Sequence, residues 1–247
     1  MGKIIAVASG KGGTGKTTFT ANVALALAHM GQRVLCLDCD ITLRNLDLAL
    51  GLTDKALMDF SDVAQGRCTL ENAVVEHSKL PGLYLLTAPV RSRGRPVTET
   101  QMADLLAEVR KRYDYCLLDA PAGLGDGFLL ATCAADRCVV VTNSDASSLR
   151  DAQRTVMELH RFPAGALHLV VNRVRIKLLR QLHATIDDAI DKAGLPLIGV
   201  VPEDDALPLC LDRGVPIALA ERSPAAAAYR NISRRIQGER VPLLRIK

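Results

Sequence analysis

The segment Gly10-Lys11-Gly12-Gly13-Thr14-Gly15-Lys16-Thr17-Thr18, directly after the apolar run Ile4-Ile5-Ala6-Val7-Ala8, constrains this chain more than any other. It fits GxxxxGK[ST], the P-loop pattern, and runs into a segment with helical spacing, so the strand-loop-helix context is the required one. Glycines serve here because the backbone must curl with its N–H groups pointing inward at phosphate oxygens, and side chains would block that approach. The helix that follows opens with unpaired amides and a positive dipole end, so an anion is favoured there on both counts. Within the pattern Lys16 supplies a point charge for β and γ phosphates, and the Thr17 hydroxyl suits a magnesium ion. Gly10, Gly12, Gly13, Thr14, Gly15 and Thr18 complete the candidate cradle. A chance match to the four fixed positions is expected in roughly one chain in a hundred of this length, before context is counted. Lys11 is not demanded by the pattern. It is either a surface lysine or a cation held close to the phosphates or to whatever covers them.

Short apolar runs rich in β-branched residues alternate with helical segments, as in a parallel sheet covered on both faces. The expected strands are Ile4 to Ala8, Arg33 to Asp38, Leu83 to Thr87, Tyr115 to Asp119, Cys138 to Thr142, Leu167 to Asn172 and Leu197 to Val201. The expected helices are Thr17 to Met30, Thr98 to Arg112, Asp126 to Ala134, Ser147 to His160, Leu178 to Ala193, Ala206 to Asp212 and Ala225 to Ile236. The fold class is therefore α/β: a P-loop NTPase with a mostly parallel twisted sheet of about seven or eight strands and helices on both faces. With 247 residues, 49% of them hydrophobic and 23% charged, and no break in composition, a single domain over 1–247 is expected, closed by a short tail at 241–247. Arg91 to Pro96, with its glycine and proline, reads as an exposed loop.

The net charge of +4 is spread along the chain, not gathered in the runs of a nucleic-acid tail, so nucleic acid is not an expected partner. No apolar run is long enough to span a membrane, and Met1-Gly2-Lys3 leads straight into a strand, unlike a signal peptide; a cytoplasmic protein is expected. Seven cysteines, mostly inside apolar runs, read as reduced and buried. Cys36 and Cys39 have CxxC spacing, but without a second pair the structural explanation is preferred to a metal site.

Two strand ends offer carboxylates to a phosphate loop. Val34-Leu35-Cys36-Leu37-Asp38-Cys39-Asp40 carries two at period-two spacing, and Tyr115-Cys116-Leu117-Leu118-Asp119 ends as a Walker B strand does. An aspartate there can also be a cap or turn residue. Beside a P-loop, a magnesium or water role is expected for Asp119 and Asp40, and a metal role is a further candidate for Asp38.

With its early lysine, Lys11-Gly12-Gly13-Thr14-Gly15-Lys16-Thr17-Thr18 resembles the deviant Walker A motif of the MinD/ParA ATPases. Asp38 to Leu48, Asp119-Ala120-Pro121-Ala122-Gly123, Val141-Thr142-Asn143, Ser147 to Asp151 and Gly199 to Asp204 are similar to the division-site branch of that family, and the likeness runs to about Arg240. The resemblance implies an ATPase using ATP and Mg2+, with slow, partner-stimulated hydrolysis. It implies an ATP-bound homodimer in which Lys11 reaches the partner's phosphates, and Asp40 orienting the attacking water. It also implies base contacts from Asn172, Pro202, Glu203 and Asp204, and for Asn172 this is preferred to the bland reading of a strand-end turn residue. A MinC-like division inhibitor and a MinE-like activator are the partners it suggests. Regulation of flagellar number, a ParA-type partition role and a non-hydrolysing nucleotide-binding scaffold remain alternatives. Relatives usually end in a basic amphipathic membrane helix, whereas Val241 to Lys247 contains Pro242 and is too short to form one. Peripheral attachment to the inner face of the cell membrane is accordingly left open. Arg173, Arg175, Lys177 and Arg180 read as a solvated face.

Overall fold

The computed structural model describes residues 1–90, 95–181 and 185–244. Its sheet has eight strands: β1 (Lys3–Ala8), β2 (Val34–Asp38), β3 (Val75–Glu76), β4 (Leu83–Leu86), β5 (Tyr115–Asp119), β6 (Arg137–Asn143), β7 (Leu167–Val174) and β8 (Leu197–Pro202). Their order is β3-β4-β2-β5-β1-β6-β7-β8. All neighbours pair in parallel except β3, which runs antiparallel to β4. Each expected strand is present within a residue or two, and β3 is the addition. It has only two residues, too few for alternation to register.

Period-two alternation divides the strand side chains between two cores. Ile4, Ala6, Leu35, Leu37, Cys116 and Leu118 pack under the helices Glu99–Arg112, Asp126–Thr132, Ala146–Glu158 and Ile186–Ala193. Ile5, Val7, Val34, Cys36, Tyr115 and Leu117 pack under Lys16–His29 and Pro224–Ile236. Cys36 and Cys39 fall in different cores, so their spacing makes no shared site. Among the described residues no group of three or more His, Cys, Asp or Glu is placed to hold a metal, and all seven cysteines are free.

The helix expected over Leu178 to Ala193 is instead two, Ile176–Gln181 and Ile186–Ala193. Thr185 caps the second by accepting from the Asp188 amide, and Asp188 returns a bond to the Thr185 amide, a reciprocal box that starts a helix afresh. Between β2 and β4 three short helices, Leu46–Ala49, Phe60–Ala64 and Leu70–Ala73, replace what the sequence left as connection. Residues 91–94 of the expected Arg91 to Pro96 loop lie outside the described residues, as do 245–247 of the tail. Of that tail, Val241 and Pro242 offer their carbonyls to the Arg235 guanidinium at 3.0 and 2.6 Å. No helix among the described residues is long and apolar enough to cross a membrane.

The connection leaving β1 runs to β2 on one side of it, whereas the one leaving its neighbour β6 runs to β7 on the other, so the chain diverges between the carboxyl ends of β1 and β6. That is where an open α/β sheet forms its ligand crevice.

Candidate active site

The loop at that crevice is shaped by contacts from distant segments. Gly15 caps the helix Lys16–His29 in the left-handed region, φ 89°, and a Cβ there would stand 2.4 Å from the Asn172 amide nitrogen. A Cβ on Gly10 would stand 2.4 Å from the Asp151 carbonyl, so the helix Ala146–Glu158 lies directly against the loop. Lys16, only 7% exposed, donates through Nζ to the Ser9 hydroxyl at 2.9 Å, and that hydroxyl donates to the Lys11 carbonyl at 2.7 Å. Burial lowers the Lys16 pKa, against the opposing pull of Asp119 and Asp40. The hydroxyl of Thr14 is buried in the loop with no hydrogen-bond partner among the described residues.

Register explains the carboxylates. Asp119 sits opposite Val7 on one side and Asp38 on the other, which puts two buried acids at one level, beside the start of the loop. Thr17 donates to Asp119 Oδ2 at 2.6 Å, and Thr20, one turn further along the helix, donates to Oδ1 at 3.3 Å. Burial pushes the Asp119 carboxyl up to about 6, even though Thr17, Lys16 and Thr20 all oppose the shift. Asp38 is pushed up to about 7 by burial and then by Asp119, while bonds from the amides of Asp40 and Leu46 at 2.8 and 3.2 Å hold it back. Asp38 thereby ties down both ends of the segment 40–46. Within that segment Asp40 Oδ1 accepts from the amides of Thr42 and Leu43 at 2.9 and 3.0 Å, an Asx-type turn.

Lys11 takes its side-chain hydrogen bond outside this cluster. Its Nζ donates to the Ser147 hydroxyl at 3.0 Å, which donates to Asp145 at 2.7 Å. Burial works to raise the Asp145 pKa, but bonds from Ser148 and Ser147 and the Lys11 charge prevail and hold it at about 2. Lys11 is therefore an exposed cation resting on the start of a helix.

On the other flank, Asn172, Pro202, Glu203 and Asp204 share a cavity of about 210 Å3 with Gly15 and Thr18. Their side-chain bonds in this structure are to the protein itself. Asn172 donates to the Thr14 carbonyl at 2.8 Å, and Glu203 accepts from Arg175 at 2.8 Å. Asp204 accepts from the Ser223 hydroxyl at 2.6 Å and from the Ala206 amide at 3.0 Å. All the expected site residues are thus brought to one end of the sheet, in two flanks. Ser9 and Thr20 were missed. Ser9 precedes the pattern, and Thr20 is signalled only by its i+3 spacing from Thr17.

The oxygens present suit magnesium. That ion takes one or two protein ligands and completes its shell with phosphate oxygens and water, and a hydroxyl bonded to a buried carboxylate at the foot of a phosphate loop offers such a pair. A carboxyl with an elevated pKa is also one that gains from a neighbouring cation.

A family model described as ParA, NUBPL iron-transfer P-loop NTPase, matches residues 1–237. The septum site-determining protein MinD of Bacillus subtilis is 39% identical over 246 residues, which cover 98% of this chain and 92% of that protein. The MinC:MinD cell division protein complex of Aquifex aeolicus superposes with a TM-score of 0.91 at 37% identity, covering 98% of each chain. MinD of Pyrococcus horikoshii OT3, complexed with Mg-ADP, superposes with a TM-score of 0.83 at 31% identity, covering 96% of each. Matched over nearly its whole length in sequence and in structure, the chain belongs to the MinD/ParA family of P-loop ATPases.

Proposed function

We propose that this chain is an ATP-driven dimerisation switch that regulates where the cell divides. The division role is supported by the full-length likeness to MinD, which does not favour the flagellar, partition or non-hydrolysing alternatives. The switch is supported by Lys11: this loop lysine is exposed and bonds to Ser147, whereas Lys16 is buried and bonds to Ser9 within the loop, so Lys11 is the one within reach of another molecule.

In this scheme the loop 10–18 wraps the phosphates of ATP and Lys16 leaves Ser9 to meet the terminal ones. Magnesium, when bound through Thr17 and Asp119, neutralises charge on the phosphate oxygens. Asp38 holds the segment 40–46 so that Asp40 can orient the attacking water. Lys11 of a second copy supplies charge only in the assembled dimer, in the manner of an arginine finger. Hydrolysis is slow until a MinE-like activator binds, and a MinC-like inhibitor is the partner recruited. Peripheral attachment to the inner face of the cell membrane belongs to the same scheme and is checked by co-sedimentation with vesicles, with and without ATP.

Sedimentation velocity with Mg-ATP tests the switch. Wild type is expected to dimerise, Lys16→Ala to stay monomeric because ATP is not held, and Lys11→Ala to bind ATP yet stay monomeric. Unchanged sedimentation of both variants would sink the mechanism. A gel shift with DNA, if ATP-dependent and salt-sensitive, would favour the partition alternative.

A further inference from the structure

Behind the two carboxylate-bearing strand ends lies a second cavity, of about 390 Å3, which shares no lining residue with the one beside Asn172. Its walls are mainly apolar: Ile41, Phe60, Val97, Leu129 and Leu130, with two prolines of the connection between β4 and the helix Glu99–Arg112. Of the polar residues around it, Ser61 donates to Asp59 at 2.6 Å, Gln65 donates to the Arg95 carbonyl at 2.8 Å, and Glu99 pairs with Arg161 at 3.9 Å. The remaining two, Arg95 and Asp126, are exposed and of opposite charge, so the site offers a ligand no net charge. None of the buried polar atoms without a hydrogen-bond partner among the described residues belongs to a lining residue. Such a space gives water little to bond to, and its volume falls within the roughly 300–1,000 Å3 of small-molecule pockets. Ile41 and Leu129 are 52% and 38% exposed, apolar surface that an occupant would cover.

Cys39, which also lines the cavity, sits between Asp38 and Asp40, and its amide donates to the Asp119 carbonyl at 3.0 Å. Gly127, another lining residue, is pressed against the segment after Asp119: a Cβ there would stand 2.6 Å from Pro121 and 3.7 Å from the Cys39 carbonyl. We propose that this cavity is a binding site for an uncharged, mainly apolar small molecule, and that its occupant, packed against Cys39 and Ile41, restrains the segment 40–46 and slows hydrolysis. The binding stands on the cavity alone; the effect on hydrolysis rests on the role proposed above for Asp40.

The probe is prodan, an uncharged naphthalene dye whose emission shifts to the blue in apolar surroundings. It is titrated into wild type, into Val97→Trp, which fills the cavity, and into Leu129→Glu, which puts a carboxylate on its wall. Thermal melting checks that each is folded, and the partly exposed position 129 keeps one variant usable if the other does not fold. The expected result is saturable binding to wild type, about tenfold weaker in either variant, because the dye then meets a filled space or an unpaired charge. Saturating dye should also slow phosphate release by wild type several-fold and leave that of Leu129→Glu unchanged. No saturable binding to wild type, or equal binding to wild type and the folded variants, would overturn the inference and leave the ATPase reading standing. Binding that the variants weaken but that leaves phosphate release unchanged would overturn the restraint on the segment 40–46. Absence of phosphate release from dye-free wild type would count against the proposed function and not against the site.

Discussion

The two flanks of the crevice treat their polar groups differently. On the phosphate side, Lys16, Ser9, Thr17, Thr20 and Asp119 bond to one another or to the loop, and their charges are held under strain by burial. Around the cavity of the other flank, Asn172 and Asp204 bond to the scaffold, and the enclosed hydroxyl of Tyr229 has no partner among the described residues. The first flank is charged machinery that awaits a compensating ligand. The second is a wall whose polar side chains are bonded to the protein around it. Phosphate affinity and base selectivity should therefore be separable by mutation.

The strongest way to break this comparison is Lys16→Ala. Losing a charge-assisted bond to phosphate should weaken ATP up to about a hundredfold, and tripolyphosphate equally, as read by calorimetry. A loss confined to ATP would mean that Lys16 is not a phosphate ligand.

Next comes pH. Asp119 and Asp38 stand at about 6 and about 7 in the folded protein against an ordinary 3.8, so between those values the folded state binds more protons than the unfolded chain. Stability contributed by these groups is present at low pH and is lost as pH rises through that window. The ligand-free protein should melt higher at pH 6 than at pH 8, and Asp119→Asn should flatten the difference. Magnesium requires the ionised Asp119 carboxylate, so the magnesium-dependent part of ATP affinity should change in the opposite direction, falling as pH drops through about 6. Parallel trends in melting and magnesium dependence would rule out these carboxylates as the shared cause.

The smallest effect sharpens the boundary between the flanks. Asn172→Ala removes the bond to Thr14 and should cost about 1 kcal/mol in loop order, weakening ATP and tripolyphosphate alike by several fold. If ATP alone suffers, Asn172 acts on the base and the assignment to the loop is wrong.

Legibility in the sequence followed the same division. Gly10 to Thr18 could be read because its chemistry is local: backbone amides, a lysine and a hydroxyl within one turn of chain and helix. Asp119 and Asp38 were readable as strand ends, but their elevation was not, since it comes first from burial and, for Asp38, also from the β2–β5 register that sets Asp119 beside it. The helix over 178–193 was misjudged because hydrophobic spacing continues across Thr185, while the capping box that restarts the chain lies in its polar residues. The two-residue strand β3 and the short helices after β2 are held by tertiary packing and carry too few residues for periodicity to show.

The sequence by itself determined that a phosphate loop opens a parallel α/β sheet, because loop geometry and strand alternation are written in neighbouring residues. Only the tertiary structure decided that Lys11 turns toward Ser147 and that Asn172 braces Thr14. Each of those depends on segments more than a hundred residues apart meeting at one end of the sheet, and no local pattern encodes the crossing that brings them there.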